Sequence, residues 1–133
     1  MTGGSVSYEE LKPGRVFPST TFEVTAQVVM AYRVATGSLP ESKDIAAAPP
    51  MLAALYSSPR RALGDAALPP GCIHARQRFG FLRPVRIGDV LETTCAVHDR
   101  YTKRGRRYVA FETVTTGPSG RVTEGLITIV WAS

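Results

Sequence analysis

From Ile73 onward the apolar residues recur at every second position, and this pattern excludes most folds open to a chain of this size. Ile73, Ala75, Gln77, Phe79 and Phe81 share one face of an extended segment, with His74, Arg76 and Arg78 on the other. Pro84 to Gly88 bends the chain, and Val90 to Tyr101 is a second long strand with Leu91, Cys95 and Val97 on one face. Lys103-Arg104-Gly105-Arg106 turns into a strand from Tyr108 to Thr115. Gly117-Pro118-Ser119-Gly120 then turns into a last strand, Val122 to Trp131. Long strands joined by such short turns form an antiparallel meander.

The half before Ile73 is helical and irregular. Val16, Phe17, Thr21, Phe22 and Val24 suggest an extended segment from Arg15 to Val24, which Pro18 confines to a sheet edge or breaks. Thr25 is an N-cap for a helix from Ala26 to Thr36, because its hydroxyl can accept from a free amide of the first turn. Gly37 is the natural stop. Pro49-Pro50 opens a second helix, Met51 to about Leu63, apolar nearly all round at Met51, Leu52, Ala53, Ala54 and Leu55 and therefore buried. Pro59 predicts a break near Ser57-Ser58. The expected architecture is α+β, a single domain over residues 1–133 in which a curved antiparallel sheet wraps one buried helix.

Composition narrows the function classes. A length of 133 residues supports one core, and 44% hydrophobic with 20% charged residues argues against wholesale disorder. Cys72 and Cys95 do not make a disulfide framework, and no Cys/His cluster has metal-ligand spacing. The first seven residues lack the basic start and apolar core of a signal peptide, and no apolar run reaches the roughly 20 residues that span a bilayer. A cytoplasmic protein is expected. The net charge of +5 suits an anionic partner, including a phosphate-bearing carrier or an acidic carrier protein. Nucleic acid is not expected: the run from Lys103 to Arg107 is short, with only Tyr101 and Tyr108 nearby to stack on bases.

Three further segments give the pattern a family. Pro50-Met51-Leu52-Ala53-Ala54-Leu55, then Gln77-Arg78-Phe79-Gly80-Phe81-Leu82-Arg83-Pro84-Val85, then Gly88-Asp89 resemble the MaoC-like hydratases and dehydratases. Tyr8-Glu9-Glu10-Leu11-Lys12-Pro13-Gly14 is similar to that family's opening, and Thr25-Ala26 leading to Ala35-Thr36-Gly37 resembles its helix before the catalytic loop. The resemblance implies a hot-dog fold, two subunits joined edge to edge, and an interfacial tunnel for an acyl group. The acyl group is carried on coenzyme A or the phosphopantetheine arm of an acyl carrier protein. It also implies addition or removal of water across the 2,3-bond, with no cofactor beyond that carrier.

The family's catalytic loop, Gly-Asp-x-Asn-Pro-x-His, is missing. The corresponding stretch is Gly37-Ser38-Leu39-Pro40-Glu41-Ser42-Lys43-Asp44, with Ser38 in place of the aspartate and Lys43 or Ser42 in place of the histidine. Neither serine nor lysine can hold and deprotonate water without a partner base. Pro50 stands where the family commonly has a glycine whose amide polarises the thioester carbonyl. Loss of one such donor costs about 2.7–4 kcal/mol of barrier where it has been measured. Met51 could donate instead. Proline at this point also resembles the non-catalytic half of two-part dehydratases, where a partner subunit supplies the dyad.

Candidate catalytic residues are therefore His74, which matches a histidine of those non-catalytic halves, with Asp44 or Glu41 from the loop. Ser38, Tyr32, Pro50, Met51, Tyr56 and Arg76 are candidate substrate contacts. Three functions remain open: a hydratase or dehydratase with a non-standard base, an acyl-binding subunit of a heterodimer, and a hot-dog thioesterase. The last wants a carboxylate near the central helix, which Asp44 and Asp65 supply only at its margins. Homodimer and heterodimer are equally compatible with the sequence.

Overall fold

The last three long strands fold as the meander their periodicity predicts, but the first, from Ile73, leaves it to pair with the last strand of the chain; all join one sheet. The computed structural model describes residues 6–37, 46–58, 61, 63 and 68–132. Strand β1 is Thr20–Glu23, helix α1 Ala26–Thr36, and α2 the short helix Ala53–Tyr56, entered through a 3-10 turn at Pro50–Leu52. Strands β2 (Ile73–Phe81), β3 (Val90–Lys103), β4 (Arg106–Gly117) and β5 (Gly120–Val130) follow. All pairings are antiparallel, in the order β1-β3-β4-β5-β2. The last strand of the chain, β5, thus lies between β4 and β2, which is left on an edge.

Local chemistry explains the element ends. The Thr25 hydroxyl accepts from the Val28 amide at 3.0 Å, and Gly37 closes α1 in the left-handed region at φ 66°, where a Cβ would be strained. Only Thr20–Glu23 of the segment expected from Arg15 is strand, and Val16 makes an isolated bridge to Ala96. Pro18, with no amide to donate, separates the two. The second helix breaks near Ser57-Ser58, as Pro59 predicts, and Met51 and Leu55, expected to be buried, are about half exposed. Its first stretch ends at Ser57, whose hydroxyl donates to the Ala53 carbonyl at 2.6 Å, and the segment beyond Ser58 is described only at Arg61 and Leu63.

The helix-bearing face of the sheet is the dry one. Leu52, Ala53 and Tyr56 pack with Val24, Val29, Leu91 and Val122, while Phe17, Val97, Phe111, Ile127 and Trp131 form the core at the other end. A row of buried threonines lies between; the hydroxyls of Thr93, Thr115 and Thr123 pair with one another or with α2, while Thr113 Oγ1 is buried with no hydrogen-bond partner. Thr93 meets Thr115 at 2.7 Å and donates to the Tyr56 carbonyl at 3.3 Å, and Tyr56 Oη lies 2.6 Å from Thr123 Oγ1. These bonds fix how α2 lies across β3 and β5, since an unpaired hydroxyl there would cost about 1–3 kcal/mol.

Candidate functional site

A β-bulge decides which side chains of β2 share a face. The register of β2 on β5 runs from Phe81 opposite Thr123 to Arg76 opposite Thr128, then slips before pairing His74 with Ile129. Directly opposed residues of an antiparallel pair lie on the same face. Ile129, Ile127 and Gly125 are buried on the inner face of the sheet, the face that also carries the helices, so His74, Gln77 and Phe79 belong to the helix-bearing face. Arg76 and Arg78, opposite Thr128 and Leu126, belong to the outer face. Strict alternation had put His74 with the two arginines. The extra residue between His74 and Arg76 reverses this, as a bulge does by setting two residues against one.

His74 therefore stands exposed on an edge strand, on the side where α2 lies. Tyr32 is half-buried against the cluster of Leu52 and Tyr56. Pro50 and Met51 are exposed at the start of the 3-10 turn, where the Leu52 amide is used by the Pro49 carbonyl at 3.0 Å. Tyr56, expected to point a hydroxyl into a cavity, is 2% exposed and gives that hydroxyl to Thr123 instead. Burial pushes its pKa up, partly offset by the Thr123 bond. Arg76 faces away from His74. Ser38, Glu41 and Asp44 lie outside the described residues, as does any pairing of His74 with the two carboxylates.

The basic hairpin is divided in its roles. Arg107 is not free for a phosphate: its guanidinium lies 4.8 Å from the Tyr8 ring centre and 3.8 Å from the Glu9 carboxylate, and donates to the Ala132 carbonyl. Arg100 stacks on the same ring at 4.9 Å and donates to the Tyr8 carbonyl at 2.9 Å. These two arginines clamp the N-terminal segment to the sheet. Among the described residues no group of three His, Cys, Asp or Glu side chains is placed to hold a metal ion, and no helix is long and apolar enough to cross a membrane.

No protein-family model matches the sequence, and no curated protein matches it. Solved structures do resemble it. The R-hydratase PhaJ1 from Pseudomonas aeruginosa superposes at a TM-score of 0.76, with 22% identity over 97% of this chain and 87% of that one. A MaoC-like dehydratase from Rhodospirillum rubrum gives 0.72, with 22% identity over 94% and 96%. The HadBC (3R)-hydroxyacyl-ACP dehydratase complex from Mycobacterium tuberculosis gives 0.75, with 20% identity over 89% and 96%. The chain has the hot-dog fold, in the form found in MaoC-like dehydratases and R-hydratases. At these identities the likeness speaks to the fold.

Proposed function

We propose that this chain is an acyl-thioester-binding protein of the MaoC-like hydratase and dehydratase type, and that it acts as the tunnel-forming half of a dimer whose partner brings the Asp/His dyad. The observation that carries this reading is the state of β2. Its nine residues form an open sheet edge, with Ile73 and Phe81 at its ends and Leu82 just beyond it about half exposed, and it holds His74 on the helix-bearing side. An unpaired edge with exposed apolar side chains is a template for another strand. A pocket built along it has a wall only on one side until a second hot-dog subunit docks.

The loop sequence supports the same division of labour, because Gly37-Ser38-Leu39-Pro40 has neither acid nor base where the dyad belongs. HadBC is a complex with dehydratase activity in its name, and ChsH1-ChsH2 from Mycobacterium tuberculosis is a second two-name complex with this fold. In this reading the protein is cytoplasmic, and its substrate is an acyl chain on coenzyme A or on an acyl carrier protein. A second reading draws on the bulge: by turning His74 to the helix-bearing side it offers a base to a self-contained hydratase, needing a carboxylate from Glu41 or Asp44.

The deciding experiment co-expresses the chain with hot-dog subunits carrying an intact Gly-Asp-x-Asn-Pro-x-His loop and assays enoyl-thioester hydration. The subunit reading expects co-purification, no turnover by the chain alone, and turnover by the pair. Turnover by the chain alone that collapses in His74→Ala would replace it with the self-contained enzyme. Release of free thiol from acyl-CoA would replace both with a thioesterase.

A further inference from the structure

The face of the sheet turned away from the helices carries a trough of about 420 Å³, within the range of small-molecule sites. Side-chain length explains it. Its floor is made by Ala110, Leu126 and Thr128 on β4 and β5, which are short or half-buried. One wall is Arg76 and Arg78 on β2; the other is His98, Asp99 and Tyr101 on β3. Three strand spacings separate the walls, roughly 14 Å between backbones, into which both sets of long side chains extend.

Both walls are shaped by a register slip. The one between His74 and Arg76 sets the arginines on the outer face, and the one between Val97 and Asp99 brings His98 and Asp99 out side by side. His98 is held by Glu112, its Nδ1 3.2 Å from the carboxylate. Tyr101 lies parallel to Tyr108, ring centres 5.0 Å apart and planes at 10°, so its ring is propped from one side. Arg33, Arg61, Arg100 and Arg107 each donate to a backbone carbonyl; among the described residues the side chains of Arg76 and Arg78, like those of Arg83, Arg104 and Arg106, have no hydrogen-bond or ion-pair partner. Two unpaired guanidinium groups two residues apart repel each other, and an anion with two or more charged oxygens between them removes that repulsion.

We propose that this trough binds a nucleotide, with its phosphoryl group on Arg76 and Arg78, its base on the Tyr101 ring, and an exocyclic amino group donating to the Asp99 carboxylate. Each end selects its own part of the ligand. The arginines offer forked donors that suit phosphate, and Asp99 repels phosphate from the far wall while accepting from an amine. A propped, exposed tyrosine gives a planar base a stacking surface. The site is on the opposite face of the sheet from His74, so it is independent of the acyl-thioester reading.

The test titrates adenosine 5′-monophosphate, adenosine and inorganic phosphate into the full chain and follows backbone amide shifts by NMR. The monophosphate is expected to shift β2 and β3 resonances and to bind about tenfold or more tightly than either fragment. Arg76→Gln with Arg78→Gln should weaken it at least tenfold, the loss expected of charge-assisted hydrogen bonds. Tyr101→Ala should weaken the monophosphate but not inorganic phosphate. Thermal melting of each variant shows that these surface changes leave the fold intact. No saturable binding at millimolar monophosphate overturns the proposal, as does binding indifferent to the arginine pair. Inorganic phosphate binding as tightly as the monophosphate also overturns it, because the base would then contribute nothing.

Discussion

The Tyr56 hydroxyl separates a structural role from a substrate-binding one. It lies 2.6 Å from Thr123 Oγ1, both residues are 2% exposed, and Thr93 secures the same helix turn through the Tyr56 carbonyl. Tyr56→Phe keeps the ring, its tilted contact with Phe22 at 6.1 Å, and nearly all the apolar burial. What it removes is one partner of a buried pair. The Thr123 hydroxyl, left without its partner, carries a desolvation cost of about 1–3 kcal/mol, and we expect a loss near the middle, about 2 kcal/mol. Thr123→Val, which removes the other partner while keeping the shape, should cost a similar amount. The double variant should recover much of the sum, because no unpaired polar atom remains, giving a coupling energy of about 1 kcal/mol or more. Urea denaturation followed by tryptophan fluorescence measures all four proteins. A Tyr56→Phe protein as stable as the parent but poorer in acyl-thioester binding would refute the structural role and restore the hydroxyl to the pocket. Strict additivity of the two losses would refute the pairing itself.

Gly125→Ala tests the packing beneath β2: the added Cβ would lie 2.5 Å from Thr113 Oγ1 and 3.1 Å from the Phe79 ring. Relief of the glycine entropy cost is worth about 0.5–1 kcal/mol and overpacking costs about 1–3 kcal/mol, so net destabilisation is expected in urea titrations, partly relieved by Thr113→Ala. Alkaline stability follows from two buried acids. Burial raises the Cys95 thiol from 9.0 to about 12 and raises Tyr56 above 10.0, so both favour the fold while neutral. Their contribution is complete below the ordinary values and declines as pH climbs from those toward the raised ones, for Cys95 between 9.0 and about 12 by about 1.4 kcal/mol per pH unit. Denaturation measured from pH 8 to 11 should show that decline and a shallower one in Cys95→Ala; identical slopes would contradict it. Thiol reagents at pH 8 should modify half-buried Cys72 and spare Cys95 until the chain unfolds, which mass spectrometry of the labelled protein checks.

The sequence carried β3, β4 and β5 well because each has one buried face, and burial enforces a period of two. It carried Thr25 and Gly37 for the same kind of reason: a free amide and a left-handed residue have few solutions. The order of β1 and β2 at opposite edges is consistent with Pro18 and the polar runs, yet nothing local specifies it. The candidate site was less legible. Tyr56 in an apolar helix gives no sign of where its hydroxyl goes, since its partner Thr123 is 67 residues away. Arg107 sits in a run of identical charges, and only the tertiary position of Tyr8 and Glu9 distinguishes it from its neighbours.

The faces of β2 are the deeper case. Alternation assigns sides by parity, so a single inserted residue inverts every assignment on one side of it. The residue between His74 and Arg76 does this, and Ala75 offers no glycine or proline to announce it. The slip at Val97 and Asp99 is equally silent. One slip separates residues that the linear pattern joins, sending His74 to the helix-bearing face and Arg76 to the other; the second joins residues that the pattern separates, so that Asp99 shares the outer face with His98. A change restricted to the outer arginines can therefore alter an anion site without touching the side where His74 stands, and His74→Ala can do the reverse. If the two faces serve one ligand, the double change Arg76→Gln with His74→Ala should depart from additivity in nucleotide and acyl-thioester binding. Additive losses, each confined to its own ligand, are what two sites on opposite sides of one strand require.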